Sequence, residues 1–418
     1  MCIRDRVSAP DAETLVVRWA QPYFGANVGN VAEFPAVPRH IMADVYGQGD
    51  RQAVVNHPYW AREFVGLGPY RLGTWVQGAY TEALAYDDYF LGRPKIDRIL
   101  LRYFQDANTL VANLLSNEID LVTIGTLKME DLAPVAAAWG PTGGTILPSF
   151  TDAAAGRLQF RDPDAPWVRD VRVRQALAHL IDRQTLVDTF FPVGGIAEVF
   201  AAKSDPVFQI AEQRGFQRYP YDVSRAERLL GETGWTRGPD GVFQNSSGQR
   251  FNIEMRVVES TPLNSRIGLA VVDSWKRGGL DVDFMAIGKN ATNKNELKAT
   301  HKGIFWQSET MSLETMEYYR SNQFATEQNR WSGRNLTSYA NPDFDRMYET
   351  VANELDTSKR QSQYADLLRW VTQELPFLTG YYDASSAITA FRSGIRGPGT
   401  VLAISKVATW NIHEWDMD

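Results

Sequence analysis

Apolar side chains along this sequence fall into two rhythms, one with a period of two and one with a period of three to four, and the rhythms interleave from end to end. The first belongs to strands, whose side chains alternate between faces. The second belongs to helices, whose turn of about 3.6 residues returns a side chain to the same face. "GPYRLGTWVQGAYTEALAYDDYF", residues 68–90, alternates apolar and polar positions around turn-forming glycines and predicts a meander of antiparallel strands. "KIDRILLRYFQ" follows as a buried strand. "DANTLVANLLSNEIDLVTI" predicts a helix capped by Asp106, with Leu110, Val111, Leu114 and Leu115 on one face, and a further strand behind it, together a β-α-β unit.

Beyond Asp170, "VRVRQALAHLIDRQTLVDTFF" sets Val173, Ala176, Leu177, Leu180 and Ile181 on one stripe and predicts a single long helix ending at Pro192, ahead of Gly194 and Gly195. "YDVSRAERLLGETGW" predicts an Asp-capped helix stopped by glycine, and "GVFQNSSGQRFNIEMRVV" a hairpin turning at residues 245–248. A helix over 263–277 and the strand "LDVDFMAI" come next. "NPDFDRMYETVANEL" places Asn341 at a cap, Pro342 in the first turn, and Phe344, Met347, Tyr348 and Val351 on one stripe. "SQYADLLRWVTQELP" is the last long helix, ended by Pro376. Strands and helices alternate without repeats or low-complexity segments, which makes this an α/β chain.

One stretch resists a purely structural reading. In "IFWQSE", residues 304–309, three apolar side chains in a row read as a buried strand, yet Glu309 brings a carboxylate three residues after Trp306. A strand-end loop residue, a ligand hook and a catalytic acid are the alternatives. The 418 residues exceed one ordinary core, and the length points to roughly two to three domains. With 12% aromatic residues, the chain has enough Trp and Tyr to line a cleft. A net charge of −7, from 43 basic and 50 acidic residues, argues against a nucleic-acid partner, which needs clustered Lys and Arg. Cys2 is the only cysteine, so neither an internal disulfide nor a thiolate metal site can form. No apolar run is long enough to span a membrane. The opening "MCIRDR" resembles leader residues translated from sequencing adapter, and the chain is expected to be truncated at its N-terminus. No apolar segment precedes Cys2, which counts against a lipid-modified cysteine there.

Candidate chemistry is sparse. His40, His57, His179, His301 and His413 are scattered and match neither a zinc motif nor a Ser-His-Asp triad. Glu118 and Asp120 in "NEID" read as a turn residue and the mouth of a strand, and Glu314 and Glu317 as a solvated face. The tyrosine pairs 318–319 and 381–382 suit core packing as well as ligand stacking. A secreted hydrolase using Glu309 with Glu314 or Asp120 is the competing function, without a nucleophile or base motif to support it.

Taken in order, the stretches resemble family 5 solute-binding proteins of ABC importers, the peptide- and nickel-binding group. "GLGPYRLGTW", the aromatic residues before "GRPKID", "DANTLVANLLSNEIDLV", "DVRVRQALAHLIDRQTLV", "YDVSRAERLLGETGW" and "NPDFDRMYE" carry the likeness over residues 66–376. The resemblance implies an α/β type II periplasmic binding fold, two lobes joined by two crossing segments near 158–160 and 375–381. It assigns residues 1–50 to the adapter-like start and the remnant of an extra N-terminal subdomain, 51–157 to part of lobe I, 158–378 to lobe II, and 379–418 to the return segment of lobe I.

The implied function is non-catalytic: a bacterial, monomeric substrate-binding component that captures an oligopeptide or peptide-like solute and delivers it to membrane permease subunits. It would work in the periplasm or at the extracellular face of the cytoplasmic membrane, with a lipid anchor left open, and needs neither cofactor nor metal. In peptide binders of the family a carboxylate three residues after a strand tryptophan holds the ligand ammonium, and the spacing of Trp306 and Glu309 is similar. Here Phe305 stands where glycine is usual, Glu replaces Asp, and no proline follows. The implied ligand-binding set is Phe305, Trp306, Gln307, Ser308, Glu309, Met311 and Asn322. The arginine with which dipeptide binders grip a free carboxylate aligns with Val258, beside Glu259, so free-dipeptide specificity is not expected. Sugars, other amine-bearing solutes and metal chelates remain alternatives within the family.

Overall fold

A computed structural model of the chain describes residues 4–26, 37–123, 126–127, 131–191, 195–259, 262–383, 388–399 and 409–418. Cys2 and the expected helix stop at Pro192 and Gly194 lie outside the described residues. The chain divides into two compact units, one of Met1–Phe24 with Phe150–Ala384 and one of Gly25–Ser149 with Ser385–Asp418.

The larger unit is organised around a five-stranded sheet: β1 (Asp152–Leu158), β2 (Asn252–Glu259), β3 (Asp281–Gly288), β4 (Ile304–Thr310) and β5 (Phe377–Asp383), in the order β3-β2-β4-β1-β5. β2 runs parallel to β3 and β4, while β1 is antiparallel to β4 and β5. Apolar residues on both sides explain why its strands show long apolar runs: a sheet covered on two faces has no solvent face to alternate toward. One face carries Ala154, Leu158, Met255, Val257, Ile304 and Trp306 against the helices α1 (Val171–His179), α2 (Arg183–Phe190), α4 (Val223–Glu232) and α5 (Pro262–Arg277). The other carries Ala153, Ala155 and Phe377 against α3 (Pro206–Arg214), α6 (Pro342–Asn353) and α7 (Thr357–Glu374).

Close approach is built into the centre of this sheet. Gly156 of β1 faces Trp306 across the ladder, and a Cβ at Gly156 would meet Ile304 and, at 2.9 Å, the Trp306 ring. A Cβ at Gly380 of β5 would lie 2.7 Å from the same ring. Two glycines therefore make the slot that this indole fills.

Several local expectations hold. Asp106 accepts from the Thr109 amide at 2.8 Å, Asp222 from the Arg225 amide at 2.8 Å, and Asn341 from the amides of Asp343 and Phe344. Others change. The single helix after Asp170 is two, because Asp182 accepts from the Thr185 amide and caps a fresh start. The turn at 245–248 forms, with the Asn245 amide bonded to the Gln249 carbonyl at 3.0 Å, but Asn252–Glu259 then leaves that hairpin to pair with β3 and β4.

The smaller unit has an antiparallel sheet of Tyr70–Val76, Tyr80–Ala85 and Arg98–Arg102. A second sheet sets Ile388–Phe391 between Leu121–Val122 and Thr145–Pro148. The expected β-α-β unit is thus split: its two strands join different sheets, since Leu121–Val122 takes a partner from the far C-terminal segment. Leu110, Leu114, Val135, Trp139, Ile388 and Ala390 form the core of this unit. The segments 158–160 and 375–381 lie in or beside β1 and β5, within the larger unit.

Candidate functional site

β4 distributes the candidate residues by the alternation of a strand. Phe305, Gln307 and Glu309 fall on one side, and Trp306 and Ser308 on the other. Trp306 is buried in the first core, held in its glycine slot. Met311 lies past the strand, buried in the second core, with its amide donating to the Thr151 carbonyl at 2.9 Å. Asn322 is exposed in the turn Ser321–Gln323. The structure therefore brings Phe305 and Glu309 to one side of the strand and sets Trp306 on the other.

A residue that the sequence reading passed over organises the site. Arg157 of β1 stands opposite Phe305 in the ladder and forms an ion pair with Glu309, their side chains only 2% and 11% exposed. The guanidinium carbon lies 5.3 Å from the Tyr318 ring centre and 5.7 Å from that of Tyr319, an arrangement favourable for a desolvated cation. Burial pushes the Tyr319 hydroxyl above its ordinary pKa while Arg157 pulls the other way. Removing one member of a buried pair strands the other charge and typically costs about 3 to 5 kcal/mol. The available signal was a lone arginine within "AAAGRL", where every neighbour is small or apolar.

His301 braces the same region from beneath. Its ring nitrogens face the carbonyls of Arg157, at 3.0 Å, and Lys298, at 2.8 Å. Burial depresses its pKa to about 4, so the neutral ring donates to one of the two carbonyls. Lys298, on the short helix Lys294–Ala299, holds its ammonium 5.6 Å from the Phe305 ring centre. Its pKa is lowered by burial first and by Arg157 second, with Glu309 opposing.

The carboxylates considered for acid-base work are engaged or turned outward. Glu314 is exposed, Glu317 pairs with Arg334 at 2.8 Å, and Asp120 belongs to the smaller unit, where Arg392 holds it at 2.5 Å. Of the second tyrosine pair, Tyr381 stacks on Phe191 at 4.3 Å and Tyr382 donates to the Ala201 carbonyl at 3.1 Å, both core roles. Among the described residues no group of three or more His, Cys, Asp or Glu is placed to hold a metal ion, and no helix is long and apolar enough to cross a membrane.

An ABC transporter peptide-binding protein of Brucella ovis is 22% identical over 89% of this chain and 66% of its own length. The oligopeptide-binding protein AppA of Bacillus subtilis is 23% identical over 83% of this chain and 61% of its own. The chain thus spans somewhat under two thirds of the length of these curated relatives. The structure of AppA in complex with a nonapeptide superposes with a TM-score of 0.69 at 18% identity, covering 100% of this chain and 78% of AppA. That of NikA from Brucella suis in complex with Fe(III)-EDTA gives 0.75 at 17% identity, covering 99% and 79%. The profile of the bacterial extracellular solute-binding proteins, family 5 middle region, matches residues 3–331, most of the sequence. By this match the chain belongs to the family 5 bacterial extracellular solute-binding proteins, and it has their two-lobe α/β fold of the type II periplasmic binding class.

Proposed function

We propose that this protein is the substrate-binding component of an ABC importer, which captures a peptide-like solute outside the cytoplasm and delivers it to membrane permease subunits without chemical change. The observation that carries the reading is the family match over residues 3–331. The relatives include proteins named for peptide binding, among them one solved with a nonapeptide bound. The site we assign is the end of β4, where Gln307, Ser308 and Glu309 follow the buried Phe305 and Trp306, with Met311 and Asn322 on the segment beyond. Glu309 is a charged group set in poorly hydrated surroundings, a suitable place to read a charged end of a ligand.

Thermal unfolding with a panel of oligopeptides, run beside assays for peptide cleavage, tests this function. A binder is stabilised according to RT ln(1 + [L]/Kd), so the melting temperature should climb with peptide concentration while the peptide stays intact. Sustained release of cleaved product without a concentration-dependent rise would instead favour a hydrolase.

A further inference from the structure

The ion pair at the end of β4 leaves the charge of its surroundings unbalanced. Arg157 and Glu309 cancel, but Lys298 stands half-buried beside them, and among the described residues its ammonium has no carboxylate at ion-pair distance. Lys294, one turn earlier on the same short helix, adds a further positive charge and spends its own ammonium on the Lys289 carbonyl at 3.3 Å. Lys298 therefore feels Arg157 and Lys294 against the single carboxylate of Glu309. The guanidinium is also under-satisfied, since Nε of Arg157 is buried with no hydrogen-bond acceptor among the described residues. A buried donor and a half-buried ammonium both lose hydration that an anion could replace.

We propose that this site takes an anionic group of the ligand, a carboxylate, with Lys298 as the contacting cation and Tyr318 and Phe305 as its aromatic walls. Arg157 occupies electrostatically the place that a ligand ammonium would have in compensating Glu309, and so turns a site with an acid in it into one of net positive charge. Lys298 determines specificity here, and Arg157 is a positioning residue that neutralises Glu309. The inference rests on the peptide-like reading above and names the ligand charge that reading leaves open.

Isothermal titration of the full chain with trialanine, each end free or blocked, is the test. Amidating the carboxylate should weaken binding on the order of 10- to 100-fold, whereas acetylating the amine should change it by no more than about twofold. Lys298→Gln should erase the carboxylate preference and Lys298→Arg should keep it, which separates a charge contact from general loss of packing. A doubly blocked peptide carrying one glutamate distinguishes a side-chain carboxylate, if it binds as the free acid does, from the terminal one, if it does not; either result supports the site. Dependence on a free amine instead, or a carboxylate preference that survives Lys298→Gln, overturns the inference while the peptide-binding reading stands. A parent protein that binds none of these peptides overturns that reading, and the inference with it.

Discussion

His301 shows how one buried side chain couples the site to pH. Fully buried between the carbonyls of Arg157 and Lys298, it has a native pKa of about 4 against 6.5 for an unperturbed histidine. Burial is the main cause. The two carbonyls and Glu254 favour the protonated ring, and Arg256 opposes it. Between these two values the unfolded chain binds a proton that the native state refuses. The contribution of His301 is therefore complete above the unfolded pKa and is lost as pH falls toward the native one. Over this window the loss amounts to roughly 3 kcal/mol, at 1.36 kcal/mol per unit. Urea unfolding at pH 7 and pH 4.5 should show a clearly smaller drop in His301→Gln than in the parent, even if the variant is less stable at both. Equal drops would mean that another group sets the acid sensitivity. His301 itself gave no sequence signal, because an isolated histidine ahead of a strand looks the same whether it ends buried or exposed.

At the scale of the element, the central sheet depends on glycines that admit close neighbours. A Cβ at Gly303 would run into the carbonyl oxygen and the amide nitrogen of Glu254, which is backbone of β2 and cannot turn aside. At Gly156 the obstructing atoms are the end of the Ile304 side chain and the Trp306 ring, which can shift. Overpacking a core costs about 1 to 3 kcal/mol, and more where backbone must move. Gly156→Ala should fall within that range and Gly303→Ala above it, measured as a shift in the denaturant midpoint at unchanged slope. A milder effect at Gly303 would contradict the described register of β2 and β4. Helix ends were far more legible than strand partners. Asp106, Asp222 and Asn341 satisfy amides two or three residues away, so the cap and its target appear together in the sequence. A strand such as Asn252–Glu259 carries no mark of whether it pairs with the hairpin before it or with β3 and β4.

For the whole molecule, the two units have separate cores. Leu114 is fully buried in the smaller unit with Leu110, Val135, Trp139, Ile388 and Ala390, while β1 to β5 are packed by other residues. Leu114→Ala removes buried methyl groups and should destabilise its own unit by about 2 to 5 kcal/mol. Unfolding of a chain with two such units need not be all-or-none. Hydrogen exchange on Leu114→Ala should therefore show lost protection in 107–122 and 388–391 and near-parental protection across β1 to β5. Uniform loss throughout would show that the units unfold as one. Segments far apart in sequence share a unit, Met1–Phe24 grouping with Phe150–Ala384 and Ser385–Asp418 with Gly25–Ser149.

The ordered motifs from "GLGPYRLGTW" to "NPDFDRMYE" were sufficient to place the chain in its family, and the apolar run at residues 304–306 was sufficient to mark β4 as a buried strand. Those features are local or repeat along the chain, so each stretch carries its own evidence. The state of Glu309 is different in kind. "IFWQSE" determines that a carboxylate follows a buried strand, but its charge is answered by Arg157 on a neighbouring strand, and the surrounding balance is tipped by Lys298 from a helix. Coulomb interactions and burial act through space, and only tertiary packing brings these three groups within reach of one another. The sequence therefore determined where the acid stands, and the fold decided which charge that position presents.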